Sequence, residues 1–337
     1  MRFKQSITAA LAAMAGVAIS AGVPASAAQA ATTTVTLPIA KYSHMLLDPA
    51  HQHLFFTSGS GTTSIVVTDY SGQTVATIPN EPGATGLALS SDSSTVYAAL
   101  PDGNAVSAIS TSTLAETARY ATGTAAVPYY VAYSSGKIWF GYNGSPLGGI
   151  GSIDPSTSPA TVTLSAAAAR WSAAPMLAAT AGGELVAGEP GQSPVQLASY
   201  DVSSGAAAVL APQKFLQEAA TLASMQITPD GTDVVLASGA PYYHEIYQIS
   251  DLSAAGTYPT TNYPNSVLSP TTARSQPERP SAATRYSCSP RAAARRSTPS
   301  PSTATPFSSP TTGLRSRRTR ACCSPSRRLS AARPTRS

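Results

Sequence analysis

The first 267 residues contain no cysteine, and the last 70 contain no valine, isoleucine, asparagine, aspartate, methionine, tryptophan or lysine. The first absence excludes an exported scaffold stapled by disulfides, which would carry paired cysteines inside its fold. All three cysteines, Cys288, Cys322 and Cys323, lie beyond Leu268. A body without them is held by apolar burial and strand pairing, and ~240 residues can bury enough surface for that. The second absence is too broad for an ordinary domain boundary, so the kind of sequence changes near Leu268. Reactive motifs are missing as well. There is no Gly-x-Ser-x-Gly elbow, no His-Glu-x-x-His pair and no phosphate-binding loop, so no catalytic residue, metal ligand or cofactor is assigned from motifs.

Charge is scarce and unevenly placed. Residues 1–267 hold 7 Lys and Arg against 15 Asp and Glu, a net of −8, while residues 268–337 hold 14 Arg against Glu278 alone, a net of +13. The N-terminus reads as an export signal. Arg2 and Lys4 precede an apolar run from Ile7 to Val23, and Ala25-Ser26-Ala27 and Ala28-Gln29-Ala30 are small-x-small cleavage patterns. Cleavage after Ala30 leaves residues 31–267 at −10. The alternative, an uncleaved anchor, needs a span of about 20 apolar residues, and no later segment is apolar enough to cross a bilayer. An acidic, sparsely charged body is a poor partner for nucleic acid. The expectation is a secreted or cell-envelope protein with no transmembrane segment once the signal is removed.

Five segments share one layout of short apolar strand, small turn and second apolar strand. Met45-Leu46-Leu47-Asp48-Pro49 precedes Leu54-Phe55-Phe56-Thr57, and Met225-Gln226-Ile227-Thr228-Pro229 precedes Val234-Val235-Leu236-Ala237. Taking Pro49, Ser91, Ser135, Ala181 and Pro229 as equivalent turn positions, the intervals are 42, 44, 46 and 48 residues, and Ser269-Pro270 begins a sixth unit. Four strands of 5–6 residues with their turns need ~40–45 residues, which is one propeller blade. Third and fourth strands follow in most units, such as Ser64–Asp69 and Gln73–Ile78, and only stretches such as Phe215 to Leu222 suit a helical turn. A β-sandwich has similar short strands but runs ~100 residues without this internal period. The predicted fold is all-β, a β-propeller over residues 31–267.

Thr228-Pro229-Asp230-Gly231-Thr232-Asp233-Val234-Val235-Leu236, and more loosely Ser90-Ser91-Asp92-Ser93-Ser94-Thr95-Val96-Tyr97, resemble the turn-and-strand unit of the YVTN, or YncE-like, β-propeller family. The other three units depart from that pattern. The resemblance covers roughly residues 36–267 and implies an exported seven-bladed propeller, of which five to six blades are encoded in frame. The Ala-rich signal and low Lys content are similar to exported actinobacterial propellers.

The basic tail reads as a displaced frame. When the third base of each codon is joined to the first two of the next, Thr271–Arg279 can be read as Asp-Asn-Gly-Thr-Val-Ala-Ala-Gly-Thr. Behind Ser269-Pro270 this restores a turn and an apolar strand. The run from Thr311 to Ser326 likewise gives Asp-Asp-Gly-Ser-Ala-Val-Ala-Ala-Asp-Ser-Ser-Val-Leu-Phe-Ala-Val, and Pro310 lies 40 residues after Pro270. The rival reading is a genuine Arg/Ser/Pro tail that contacts phosphates through Arg315, Arg317, Arg318 and Arg320. Either way such a composition is expected to be disordered over 268–337, and a ring missing its closing blades is expected to be marginally stable.

Candidate binding residues are aromatic. Tyr42 and His44, Tyr129 and Tyr130, and Arg170 and Trp171 each lie just before a predicted inner strand, where a propeller crowds side chains at the mouth of its channel. Rigid aromatic faces there suit a protein or glycan ligand, or else cap the layers between blades. His51-Gln52-His53 reads as a solvated turn in preference to a metal pair. Asp154, Asp201, Asp230 and Asp251 read as turn residues. The expected function is a non-enzymatic binding scaffold. The alternatives are a propeller enzyme of lactonase or dehydrogenase type, and a non-functional product of a disrupted gene.

Overall fold

The computed structural model describes residues 35–39, 41–216, 219, 221–240, 242–260 and 264–267. The predicted signal (1–30) and basic tail (268–337) lie outside the described residues. Among the described residues twenty strands form five antiparallel four-stranded sheets, each in simple chain order, which makes a five-bladed β-propeller. Blade one is β1 His44–Asp48, β2 His53–Thr57, β3 Ser64–Asp69 and β4 Thr74–Pro79. Blade two is β5 Leu87–Leu89, β6 Thr95–Leu100, β7 Ala105–Ser110 and β8 Glu116–Ala121. Blade three is β9 Val127–Ser134, β10 Lys137–Asn143, β11 Gly149–Asp154 and β12 Thr161–Thr163. Blade four is β13 Met176–Ala179, β14 Glu184–Gly188, β15 Gln196–Asp201 and β16 Ala208–Phe215; blade five is β17 Ser224–Ile227, β18 Asp233–Ala237, β19 Tyr243–Gln248 and β20 Ala254–Pro259.

The turns are built as the sequence predicts. Between β9 and β10, Ser135 and Gly136 both take positive φ (52° and 76°), which suits a two-residue hairpin turn matched to the strand twist. Between β17 and β18, the Asp230 carboxylate accepts the Thr232 amide at 3.2 Å and Gly231 takes φ 76°. Asp69, Asp154, Asp201 and Asp251 stand at or just after the ends of third strands. Each accepts the amide of the serine two residues on, at 2.8–3.0 Å, the bonding that makes aspartate a turn former.

Because each strand alternates its side chains, each sheet offers an apolar set to both neighbours. Phe55, Ile65 and Val67 of blade one meet Leu87, Val96 and Ala98 of blade two. Tyr97, Val106 and Ala108 meet Val131, Ile138 and Phe140 in the next layer, where the Tyr97 and Tyr133 rings stack at 5.3 Å. Trp139 and Ile150 of blade three face Leu185, Ala187 and Tyr200 of blade four, and Val186 and Leu197 face Val234, Leu236 and Tyr247 of blade five. The innermost strands touch in sequence, β1 to β5, β5 to β9, β9 to β13 and β13 to β17. Among the described residues no such layer of buried apolar side chains joins blade five to blade one.

Two local features differ from the sequence reading. β9 starts at Val127, four residues ahead of the expected strand, so Tyr129 and Tyr130 lie inside it. The stretch proposed for helix opens with Phe215 closing β16, and Leu216, Ala219 and Leu222 are buried in the layer between blades four and five. Among the described residues the helical structure is one 3-10 turn, Pro101–Gly103, and no helix there is long and apolar enough to cross a membrane.

Candidate functional site

The end of the ring where inner strands begin is fixed by a relay of hydroxyls. The Ser43 amide donates to the carbonyl of Thr57 at 2.9 Å, across the start of β1 and the end of β2. The buried Thr57 hydroxyl donates in turn to the Thr85 carbonyl at 2.6 Å, on the approach to β5. The Thr85 hydroxyl then reaches the carbonyl of Tyr129 in β9 at 2.7 Å, and the Gly86 amide donates to the same oxygen at 2.9 Å. Threonine suits this relay because its β-branched side chain has a restricted χ1 and a hydroxyl beside the backbone. Blades three and four are tied differently, by the Asn143 side-chain oxygen accepting the Ala174 amide at 2.5 Å.

Four of the six sequence-predicted binding residues stand in or next to this relay, with Tyr129 taking part through its carbonyl. Tyr42 is exposed beside the start of β1, His44 opens β1, and Tyr129 and Tyr130 are half-buried in β9. The His44 Nδ1 atom is buried without a hydrogen-bond partner among the described residues. Burial pushes the imidazole down to about 4, so His44 is neutral at neutral pH. Burial also raises the Tyr130 phenol. The group is uncharged, aromatic and hydroxyl-rich, which suits contact with apolar or sugar faces and does not supply a charged acid or base.

Arg170 and Trp171 do not join it. Trp171 is fully buried in the layer between blades three and four, and its backbone bridges Gly148 beside the start of β11. The Arg170 carbonyl accepts the Gln213 side chain of β16 at 2.7 Å, which sets this pair toward the outer strands. The linker ahead of β13 first runs beside β11, where the Ala166 amide donates to the Ile150 carbonyl at 2.8 Å, and a linear count of residues before β13 misses that detour. His51 is likewise a turn residue, its Nδ1 2.8 Å from the Asp48 carboxylate and its ring stacked on His53. Among the described residues no group of three or more His, Cys, Asp or Glu side chains lies close enough to hold a metal ion.

Two buried carboxylates escaped sequence reasoning. Glu81, in the linker between blades one and two, is fully buried and accepts the Ser107 hydroxyl at 2.6 Å. Burial raises its pKa to about 7, against the opposing hydrogen bond from Ser107. Glu189, next to the end of β14, accepts the Ser172 amide at 2.6 Å, the Ala173 amide at 3.0 Å and the Ser172 hydroxyl. These bonds make Glu189 a clamp on the linker into blade four. A carboxylate following an apolar strand or sitting in a Pro-rich linker carries no local mark of such burial, because the partners of Glu81 and Glu189 are 26 and 17 residues away.

No protein-family model matches the sequence, and no curated protein matches it. Among solved structures, hydrazine synthase from Kuenenia stuttgartiensis is similar over 70% of this chain and 71% of that one, at a TM-score of 0.53 and 18% identity. The Pan2 WD40 domain from Neurospora crassa aligns over 65% of both chains at a TM-score of 0.47 and 14% identity. At such identities the likeness concerns the fold alone.

Proposed function

We propose that this five-bladed propeller is an exported, non-enzymatic binding scaffold that takes a protein or glycan ligand at the channel mouth, over Tyr42, His44, Tyr129 and Tyr130. The observation that carries the reading is the hydroxyl relay from Thr57 through Thr85 to Tyr129, which holds the approaches to β1, β5 and β9 in fixed register. Ordering costs little when the binding side chains already sit on a pinned backbone. A neutral aromatic surface suits stacking against sugar rings or apolar side chains. Arg170 and Trp171 are left out of this surface. The composition of residues 1–30 supports export, and the turn at Thr228–Gly231 supports kinship with YncE-like propellers.

The experiment is a screen of the purified full chain against glycan and peptide panels, followed by titration of the best ligand with Tyr42→Ala and Tyr129→Ala/Tyr130→Ala. Each variant is expected to weaken binding by about 1–3 kcal/mol, as central aromatic anchors do. A ligand that binds both variants like the parent chain would remove the mouth from the account.

A second reading is supported by the chain's course beyond blade five. The Gly59 amide, just past β2, bonds the Ala84 carbonyl at 2.8 Å, three residues ahead of Leu87 where β5 begins. The Gly239 amide, just past β18, bonds the Pro264 carbonyl at 2.9 Å, three residues ahead of Val267. Val267 thus stands where a sixth inner strand would start. This favours a propeller interrupted after residue 267 by a displaced frame, in a gene whose intact form would carry further blades.

A further inference from the structure

The outermost strand of blade four differs from its counterparts. β16 has eight residues, while β4, β8 and β20 have six and β12 has three. Val209, Leu210 and Phe215 on β16 are 49%, 41% and 51% exposed. β4 and β20 each carry a single exposed large apolar side chain, Val75 and Tyr258, and β8 and β12 carry none. One edge of β16 pairs with β15; the other has no strand beside it among the described residues. Pairing with β15 is irregular, with register shifts on both sides of Ser199, whose hydroxyl oxygen accepts the Ala211 amide at 3.1 Å.

A cavity of about 430 Å³ adjoins this strand between blades four and five. Leu210 belongs to both, and Glu184, Thr232, Asp233, Gln248 and Ile249 are among the residues that line the remaining wall. Glu184 and Asp233 bring two carboxylates to the cavity. The nearby cation, Lys214 of β16, is engaged elsewhere, donating to the Asp251 carbonyl at 3.0 Å. A free strand edge with exposed apolar side chains is a template for another strand. Apolar patches rimmed by polar groups mark interaction surfaces. Pro212 has no N–H to offer, which confines new pairing to residues 208–211, the half that adjoins the cavity.

We propose that β16 and this cavity dock an extended segment of another polypeptide, in which an apolar residue is followed by lysine or arginine. The incoming backbone pairs with the free edge over residues 208–211. Its apolar side chain packs on Val209, and the cation that follows it, on the opposite face, passes Leu210 into the cavity toward Glu184 and Asp233.

The test uses the full chain and a fluorescent decapeptide alternating valine and lysine, with a valine–glutamate decapeptide as its counterpart. Anisotropy titrations are run at low and high salt on the parent chain, Leu210→Lys, Glu184→Gln/Asp233→Asn and Tyr42→Ala, and thermal melts establish that each variant is folded. The lysine peptide is expected to bind at least about tenfold more tightly than the glutamate peptide, and more weakly at high salt. Leu210→Lys and the double amide variant are each expected to weaken it about tenfold or more, and Tyr42→Ala to leave it unchanged. Should Leu210→Lys not fold, the double variant carries the test. No binding, equal binding of the two peptides, or indifference to the cavity variants overturns the proposal. So does self-association of the parent chain that Leu210→Lys abolishes, since the occupant would then be a second copy. Failure of the mouth variants to affect their own ligand leaves this site untouched.

Discussion

Gly86 and Tyr129 meet backbone to backbone where blade two passes blade three. The Gly86 amide bonds the Tyr129 carbonyl at 2.9 Å, and a β-carbon on Gly86 would come within 2.8 Å of that same oxygen and of the Tyr130 α-carbon. Both obstacles are backbone, so no side-chain rotation relieves them. Gly86→Ala is expected to push β9 from β5, cost about 1–3 kcal/mol as overpacking does, and displace Tyr129 and Tyr130 of the proposed binding surface. Urea denaturation and ligand titration of the variant check this together: stability and binding should fall in parallel.

The Glu81 carboxyl gives the fold a pH dependence of definite sign. Its pKa is raised to about 7 in the folded protein by burial, so the folded state holds the proton more tightly than the unfolded chain, where a glutamate titrates near 4.3. Stability from this group is complete below the unfolded value and is lost as pH rises through about 7. Glu81→Gln keeps an acceptor for the Ser107 hydroxyl and removes the charge. It is expected to raise stability on the order of 2 kcal/mol at pH 8 and to change little at pH 4. Thermal melts across this range check it, and a variant that melts below the parent at pH 8 would contradict it.

The turn aspartates act in the opposite direction. The Asp92 carboxylate accepts the Ser90 hydroxyl at 2.6 Å and the Ser94 amide and hydroxyl at 3.0 and 2.8 Å, which hold its pKa down to about 2. Asp69, Asp154, Asp201, Asp230 and Asp251 are lowered by the same kind of bonds, chiefly from serine or threonine side chains. A depressed carboxylate stabilises the fold above its unfolded pKa and loses that contribution as pH falls through the folded one. The protein is therefore expected to lose stability between about pH 4 and pH 2. Asp92→Asn should reduce the steepness of that loss in acid titrations followed by circular dichroism, and an unchanged profile would contradict this role.

Trp139 fills the layer between blades three and four, 1% exposed, with Trp171 and Tyr200 equally enclosed. Trp139→Ala is expected to cost about 3–5 kcal/mol through lost burial and the cavity left behind. Trp139→Phe should cost less, because it keeps an aromatic plate and discards an indole N–H that has no partner among the described residues. Denaturant midpoints of the two variants check the ordering.

The blade plan was legible because its signals are local. Pro229-Asp230-Gly231 and Ser135-Gly136 announce their turns, and Val234 to Ala237 is apolar on both faces, as a strand between two layers must be. The strand that carries Tyr129 and Tyr130 was legible in part, because Pro128 concealed that β9 had already begun; there it pairs with Tyr142, beside the register shift between Gly141 and Tyr142. Arg170 and Trp171 were misplaced because the linker runs alongside β11 before turning to β13. The Thr57–Thr85–Tyr129 relay and the buried Glu81 depend on neighbours 26 to 44 residues away. No window of sequence contains such partners. The exposed side chains of β16 were hidden for another reason: its register with β15 shifts around Ser199, so alternation along the strand does not give exposure.

The proposed interruption of the propeller after residue 267 is tested most directly by the coding DNA downstream of codon 267. The frame that joins the last base of codon 270 to the first two of codon 271 is expected to spell Asp-Asn-Gly-Thr-Val-Ala-Ala-Gly-Thr, to continue without a stop, and to give a second such turn 40 residues on, beginning with the base that ends codon 310. A stop codon or a polar, turnless sequence in that frame would contradict it, and the arginine-rich segment would then be a genuine part of the protein.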